Sequence, residues 1–143
     1  MTSIGSALFI SALIILGVFS APQIPGAGSD NPLEKCPESP NCERSSQEFK
    51  VSPDRALQAV LSVLGKMNAE SVEQTDTFDI HAVFRIRLFG FRDDVHLALR
   101  PHGEDDGMVI VHIRSASRTG YSDLGVNGRR VNRFYRMLAD ELR

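Results

Sequence analysis

The chain has 143 residues, 42% of them hydrophobic and 24% charged, and a net charge of −2. That length suits one domain with a removable end and a core of ordinary size. So small a net charge excludes a generally basic protein and offers no electrostatic case for nucleic acid as a partner.

The first stretch, Ile4 to Ala21, is uncharged and mostly Ala, Leu, Ile, Val and Phe. Its densest part, Ala7 to Val18, has the length of a signal-peptide core, and Val18-Phe19-Ser20 supplies small residues for cleavage before Ala21. The segment before it has no Lys or Arg, and eighteen uncharged residues also suffice for a retained anchor. Residues 1–20 are therefore expected to be a signal peptide or a membrane anchor. The protein would be exported to a periplasm, an organelle lumen or the extracellular space. Residues 21–35 form a linker, since the Pro, Gly, Asn and Ser of PQIPGAGSDNP cannot build a packed face.

Cys36 and Cys42 close the short loop CPESPNC. An even pair in an exported chain predicts one disulfide. The spacing excludes a CxxC redox motif, and two thiols would need outside ligands to hold a metal. The domain proper then runs from 36 to 143. Its first helix is marked by Ser52 as N-cap, Pro53 at the first helical position and Asp54 at the positive end of the dipole. Leu57, Val60, Leu61 and Leu64 make the apolar stripe, and Gly65 or Asn68 ends it.

The middle of the chain alternates. Ser71 to Thr75 is a weak strand candidate. Ile80 to Leu88 is a strong one, with Ile80, Ala82, Phe84, Ile86 and Leu88 on one face and His81, Val83, Arg85 and Arg87 on the other. Phe89-Gly90-Phe91 and Asp93 make a reversal. From Asp94 to Arg100, Val95, Leu97 and Leu99 point inward and Asp94, His96 and Arg100 outward. HGEDDG, from His102 to Gly107, is an acidic turn, and Met108 to Arg114 is the most apolar strand. A last helix starts near Asn127 as N-cap and runs to Leu142, with Val131, Phe134, Tyr135, Leu138 and Leu142 as its stripe. Short connections give an α+β fold, a four-stranded mainly antiparallel sheet with two helices packed on one face. The sheet's other face would then gather His81, Arg85, Arg87, Asp94, His96, Arg100, His112 and Arg114. It is either a solvated face or an anion-binding surface.

Between the last strand and the last helix lies HIRSASRTGYSDLGVNGRR, His112 to Arg130, with four arginines. Residues 30–80 hold ten acidic and five basic residues, whereas 108–143 hold seven arginines and three acidic residues. The basic end thus coincides with this stretch and favours a local anion site. One account is structural, with Asp123 pairing Arg118 or Arg129 and the polar groups locking a crossover. The other is a ligand site built from Arg114, Ser115, Ser117, Arg118, Tyr121, Asp123, Asn127 and Arg129 before a helix start.

SPNC, the Phe91-Arg92-Asp93-Asp94-Val95 segment and RSASRTGYSDLGVN together resemble the domain-of-unknown-function family 1499, over most of the chain after Cys36. Glu43 and Arg44 depart from the family's shorter opening motif, and His96 stands where an acidic residue is expected. The resemblance implies a small domain of exported or organelle-lumen proteins, without an assigned activity. Three functions follow. The first is a noncatalytic binding module for an anionic small molecule, lipid headgroup or glycan at a membrane surface. The second is a structural or assembly factor acting through protein contact. The third is a hydrolase using Ser115 or Ser117 with His112 and Asp123, which lacks the GxSxG elbow and sets serine and histidine on opposite faces of a strand. No cofactor or metal motif is present, and HExxH spacing for a zinc site from the histidines is missing.

Overall fold

The computed structural model describes residues 31–86, 90–102, 107–120 and 122–143. The expected signal or anchor segment, the expected linker up to residue 30, residues 87–89, residues 103–106 of the predicted acidic turn, and Tyr121 lie outside the described residues. Among the described residues seven elements follow in order: β1 (Cys42–Phe49), α1 (Pro53–Lys66), β2 (Ser71–Asp76), β3 (Asp79–Arg85), β4 (Arg92–Pro101), β5 (Val109–Ser117) and α2 (Val126–Glu141).

The helix signals hold for α1. Ser52 accepts from the amide of Arg55, Pro53 opens the helix, and Asp54 and Lys66 sit at the matching ends of the dipole. Its stripe is buried through Ala56, Leu57, Val60, Val63 and Leu64, and Asn68 at φ 60 turns the chain out of it. The stripe of α2 is buried through Val131, Phe134 and Leu138. These side chains meet Ile80, Ala82 and Phe84 of β3, Val95, Leu97 and Leu99 of β4, and Val109, Val111 and Ile113 of β5 in one core. Strand alternation therefore places both helices on the predicted face.

The sheet corrects the expectation of four strands. Among the described residues it has five, in the order β1-β5-β4-β3-β2, and every neighbouring pair is antiparallel. The added strand is CERSSQEF, whose polar sequence carries no apolar alternation. It pairs with β5 from Cys42 opposite Ala116 to Phe49 opposite Val109, so the most apolar strand has neighbours on both sides. A row of unpaired amides and carbonyls beside β5 recruits this segment, not its own hydrophobicity. A second correction concerns Asp93. It belongs to β4, not the reversal, and points inward in phase with Val95, Leu97 and Leu99.

The last residues of the predicted linker lie against β1. Asn31 donates from its side chain to the Ser45 carbonyl at 3.3 Å and to Ser46 Oγ at 3.0 Å. Arg44 returns two hydrogen bonds, to the carbonyls of Leu33 and Asn31. The chain then reaches Cys36, which is disulfide-bonded to Cys42 at the start of β1. The closed loop is short, so the bond is expected to contribute only about 2 kcal/mol by constraining the unfolded chain. Intact mass should show no alkylated thiol in unreduced protein. A Cys36→Ser/Cys42→Ser double variant should melt a few degrees lower while keeping its circular dichroism spectrum.

Candidate functional site

Four polar residues from three elements, β4, β5 and α2, meet in the core at the two ends of the stretch from His112 to Arg130, the signature stretch. Asp93, Ser115 and Asn127 are at most 1% exposed, and the Arg130 side chain is 9% exposed. Arg130 donates to Asp93 Oδ2 at 2.6 Å, to Ser115 Oγ at 2.9 Å and to Asn127 Oδ1 at 2.7 Å. Ser115 donates to Asn127 Oδ1 at 2.5 Å, and the guanidinium lies 4.9 Å from the Phe84 ring centroid. The Asn127 amide group serves Asn41 O, Ser117 Oγ and Asp123 Oδ2. Asn41 in turn donates to Gly120 O at 2.6 Å and accepts from the Ser117 amide. The cystine loop and the signature stretch are thus tied together, which makes SPNC and RTGYSDLGVN two halves of one joint.

The start of α2 differs from expectation. Asn127 is not the N-cap: it is the second residue of the helix and fully buried, and Gly125 at φ 76 holds the cap position without a side-chain bond. Asp123 takes over by accepting from the amides of Gly125 at 2.8 Å and Asn127 at 2.7 Å. Burial opposes its ionised form, but those amides and the Asn127 side chain hold its carboxyl below the usual range. The expected Asp123–arginine pair does not form: Arg118 holds Asp94, and Arg129 donates to Leu124 O at 2.9 Å. Helix-start amides satisfy the carboxylate where sequence proximity suggested a guanidinium.

On the opposite sheet face, Arg118 binds Asp94 through two bonds of 2.8 Å, and His81 reaches the same carboxylate at 2.7 Å. The His81 and His96 rings stack with centroids 4.6 Å apart. Arg114 lies beyond them, 3.3 Å from Glu34, where residues 32–34 cover part of the face. His112 is 2% exposed with Nδ1 2.7 Å from Ser46 Oγ, so this face is covered at its centre. Strand parity sets His112 and Ser115 on opposite faces of β5, and no catalytic dyad forms between them. Among the described residues no group of three His, Cys, Asp or Glu side chains is placed to hold a metal ion.

The predicted site residues therefore divide. Ser115, Ser117, Asp123 and Asn127 belong to the buried joint, Arg114 and Arg118 to carboxylates on the other sheet face, and Arg129 to the solvent side of α2. What sequence reasoning missed is that Arg129 continues into a row with Arg133 and Arg136 along that exposed side. Spacing of four and three residues was the signal. Among the described residues none of the three has a carboxylate within 4.0 Å, and Asp140, the nearest acidic residue along the helix, pairs with Arg143. Arg129 and Arg133 border two hollows. One of about 290 Å³ is shared with Met67, Phe84, Val126 and Arg130, and an open one of about 700 Å³ with Gln47, Asn132, Tyr135 and Arg136. A third, apolar cleft of about 180 Å³ opens at the signature loop between Ile86, Phe91, Leu124 and Val126, with Ser117 and Ser122 at its wall.

The family model for a protein of unknown function, DUF1499, matches residues 32–138, and the chain belongs to that family. No curated protein matches the chain. Among solved structures, a conserved protein from Geobacillus kaustophilus is similar with a TM-score of 0.36 and 12% identity, over 71% of this chain and 94% of the other. A protein from Thermus thermophilus is similar with a TM-score of 0.39 and 12% identity, over 71% of this chain and 96% of the other.

The buried joint makes two predictions. Asp93→Asn leaves Arg130 charged and uncompensated in the core, which typically costs about 3–5 kcal/mol. Urea unfolding should show that loss, whereas a change near 0.5 kcal/mol, about that of an exposed position, would refute the pairing. Acid should act in two windows. His96 is lowered below the ordinary 6.5, first by burial and then by His81, so the stability it contributes is lost as pH falls below that value. Asp94 is lowered from 3.8 to about 2, chiefly by the hydrogen bonds from Arg118. Its contribution is present above 3.8 and is lost as pH falls towards 2. Melting temperature followed against pH should lose the first slope in His96→Gln and part of the second in Asp94→Asn.

Proposed function

We propose that this domain is a noncatalytic binding module for anionic groups, and that it meets them on the exposed side of α2. The observation that carries this reading is the row Arg129, Arg133 and Arg136, three guanidinium groups over roughly 10 Å of helix with no carboxylate partner among the described residues. The signature arginines support it by contrast. Arg114, Arg118 and Arg130 are each paired with an acidic side chain, so an incoming anion would have to displace a carboxylate from them. Arginine suits the role because its planar fork pairs phosphate or carboxylate through two parallel bonds. The hollows beside Arg129 and Arg133 leave room for the group that carries the anion.

An exported address belongs to the same reading, since the Cys36–Cys42 bond is compatible with an oxidising compartment. Among the described residues no helix is long and apolar enough to cross a membrane. Binding of inorganic polyphosphate, followed by titration calorimetry, tests the proposal. Three exposed contacts of roughly 0.5 kcal/mol each predict about tenfold weaker binding for the Arg129→Gln/Arg133→Gln/Arg136→Gln variant. Its melting temperature should stay within a degree or so of wild type. Arg118→Gln should do the opposite, melting lower while binding as before. Equal affinity in the triple variant and the wild type would end the reading.

A further inference from the structure

Three large apolar residues are exposed among the described residues: Val72, Phe91 and Leu124. Single exposed apolar side chains need no explanation, but two of these three stand at the mouth of one apolar cleft. Phe91 is 52% exposed and Leu124 82%. Leu124 is also held at φ 54, in the left-handed region that asparagine or glycine enters with less strain. Neither backbone preference nor burial accounts for a leucine there. The cleft behind the pair, about 180 Å³, is walled by Ile86 and Val126 and is smaller than the roughly 300 Å³ at which small-molecule sites begin.

Arginines surround this end of the domain. Arg92 follows Phe91 in the chain, and Arg85 is its direct partner across the β3–β4 ladder. The Arg118 amide bonds the Arg92 carbonyl at 3.1 Å, and Arg129 bonds the Leu124 carbonyl. Glu70 and Asp94 pair with Arg92 and Arg118, and Asp123 is turned onto the amides at the helix start. Asp93, which also lines the cleft, is held by Arg130, so Arg85 and Arg129 are left without a carboxylate partner among the described residues, and the row on α2 begins at Arg129.

We infer that Phe91 and Leu124 form the membrane-inserting tip of the domain, entering the acyl boundary of an anionic bilayer while Arg85 and Arg129 engage lipid phosphates. This deepens the anion-binding reading and rests on it. Apolar side chains that dip below the headgroups and arginines whose stems lie along the boundary are the two halves of interfacial binding. Charge decides the occupant: an apolar pair within a cationic rim complements a surface that is apolar below and anionic above.

The chain contains no tryptophan, so Phe91→Trp and Leu124→Trp each install a single local reporter in the full-length protein. Val72→Trp, on the edge strand, is the control. With vesicles of phosphatidylcholine and phosphatidylglycerol, the reporters at 91 and 124 should shift to shorter emission wavelengths and be quenched by brominated acyl chains. The reporter at 72 should stay in water, and pure phosphatidylcholine should give no shift. A local reporter also separates insertion of this tip from any attachment through the apolar segment at 4–21. If the reporters at 91 and 124 stay in water while the protein still binds polyphosphate, the membrane inference is overturned and the anion-binding proposal stands. If polyphosphate binding is absent as well, both fall. A shift that needs only rising protein concentration, without lipid, would make the tip a protein-docking surface and also overturn the inference.

Discussion

The ion pair between Arg130 and Asp93 constrains more of this structure than any other contact. Two charges removed from water are tolerated only when their remaining hydrogen-bonding capacity is met. Arg130 therefore needs Ser115 and Asn127 as well as Asp93. Ser115 must point inward from β5, which fixes the strand's phase, because a slip of one residue would present Arg114 or Ala116 instead. Asn127 must be buried to accept from both Ser115 and Arg130, so it cannot stand at the helix entrance. The cap passes to Asp123, and Gly125 supplies the left-handed turn that brings the chain from one role to the other.

The same joint explains why a polar segment completes the sheet. Asn41 bonds Gly120, Ser117 and Asn127, and it stands directly before β1. Cys42 follows, held to Cys36 and paired in register with Ala116. Once Asn41 and Cys42 are fixed, the next residues run along the open edge of β5, and backbone hydrogen bonds hold them whatever their side chains. The covering of the opposite sheet face by residues 31–34 depends on this strand through Arg44 and Ser46.

Much of this was legible in the sequence, and the exceptions share a cause. Periodicity placed α1, the inward residues of β4 and β5, and the stripe of α2, because burial of one apolar face is what periodicity records. It was silent on CERSSQEF, a strand defined by its neighbour's edge. Asp93 shared the phase of Val95, Leu97 and Leu99, but a carboxylate beside Gly90 reads as turn chemistry until its arginine is known. Asp123 misled in the converse way: sequence brought Arg118 and Arg129 near it, and only three dimensions show that amides reach it first. The joint's residues were singled out by their density, yet density alone does not separate a buried network from a ligand site.

The geometry of α2 separates the buried network from the exposed arginines. Residues 127, 131, 134 and 138 face the core, and Arg130 stands at the margin with enough length to reach Asp93. Arg129, Arg133 and Arg136 then fall on the far side by helical period alone. Their lack of carboxylate partners among the described residues reflects how the acidic residues are used. Glu70, Asp79, Asp93, Asp94 and Glu141 each pair with a cation elsewhere, and Asp123 serves the helix start. A chain with a net charge of −2 thus presents a cationic helix face. The surface potential is set by which carboxylates are already engaged, and net charge alone would have predicted the opposite sign.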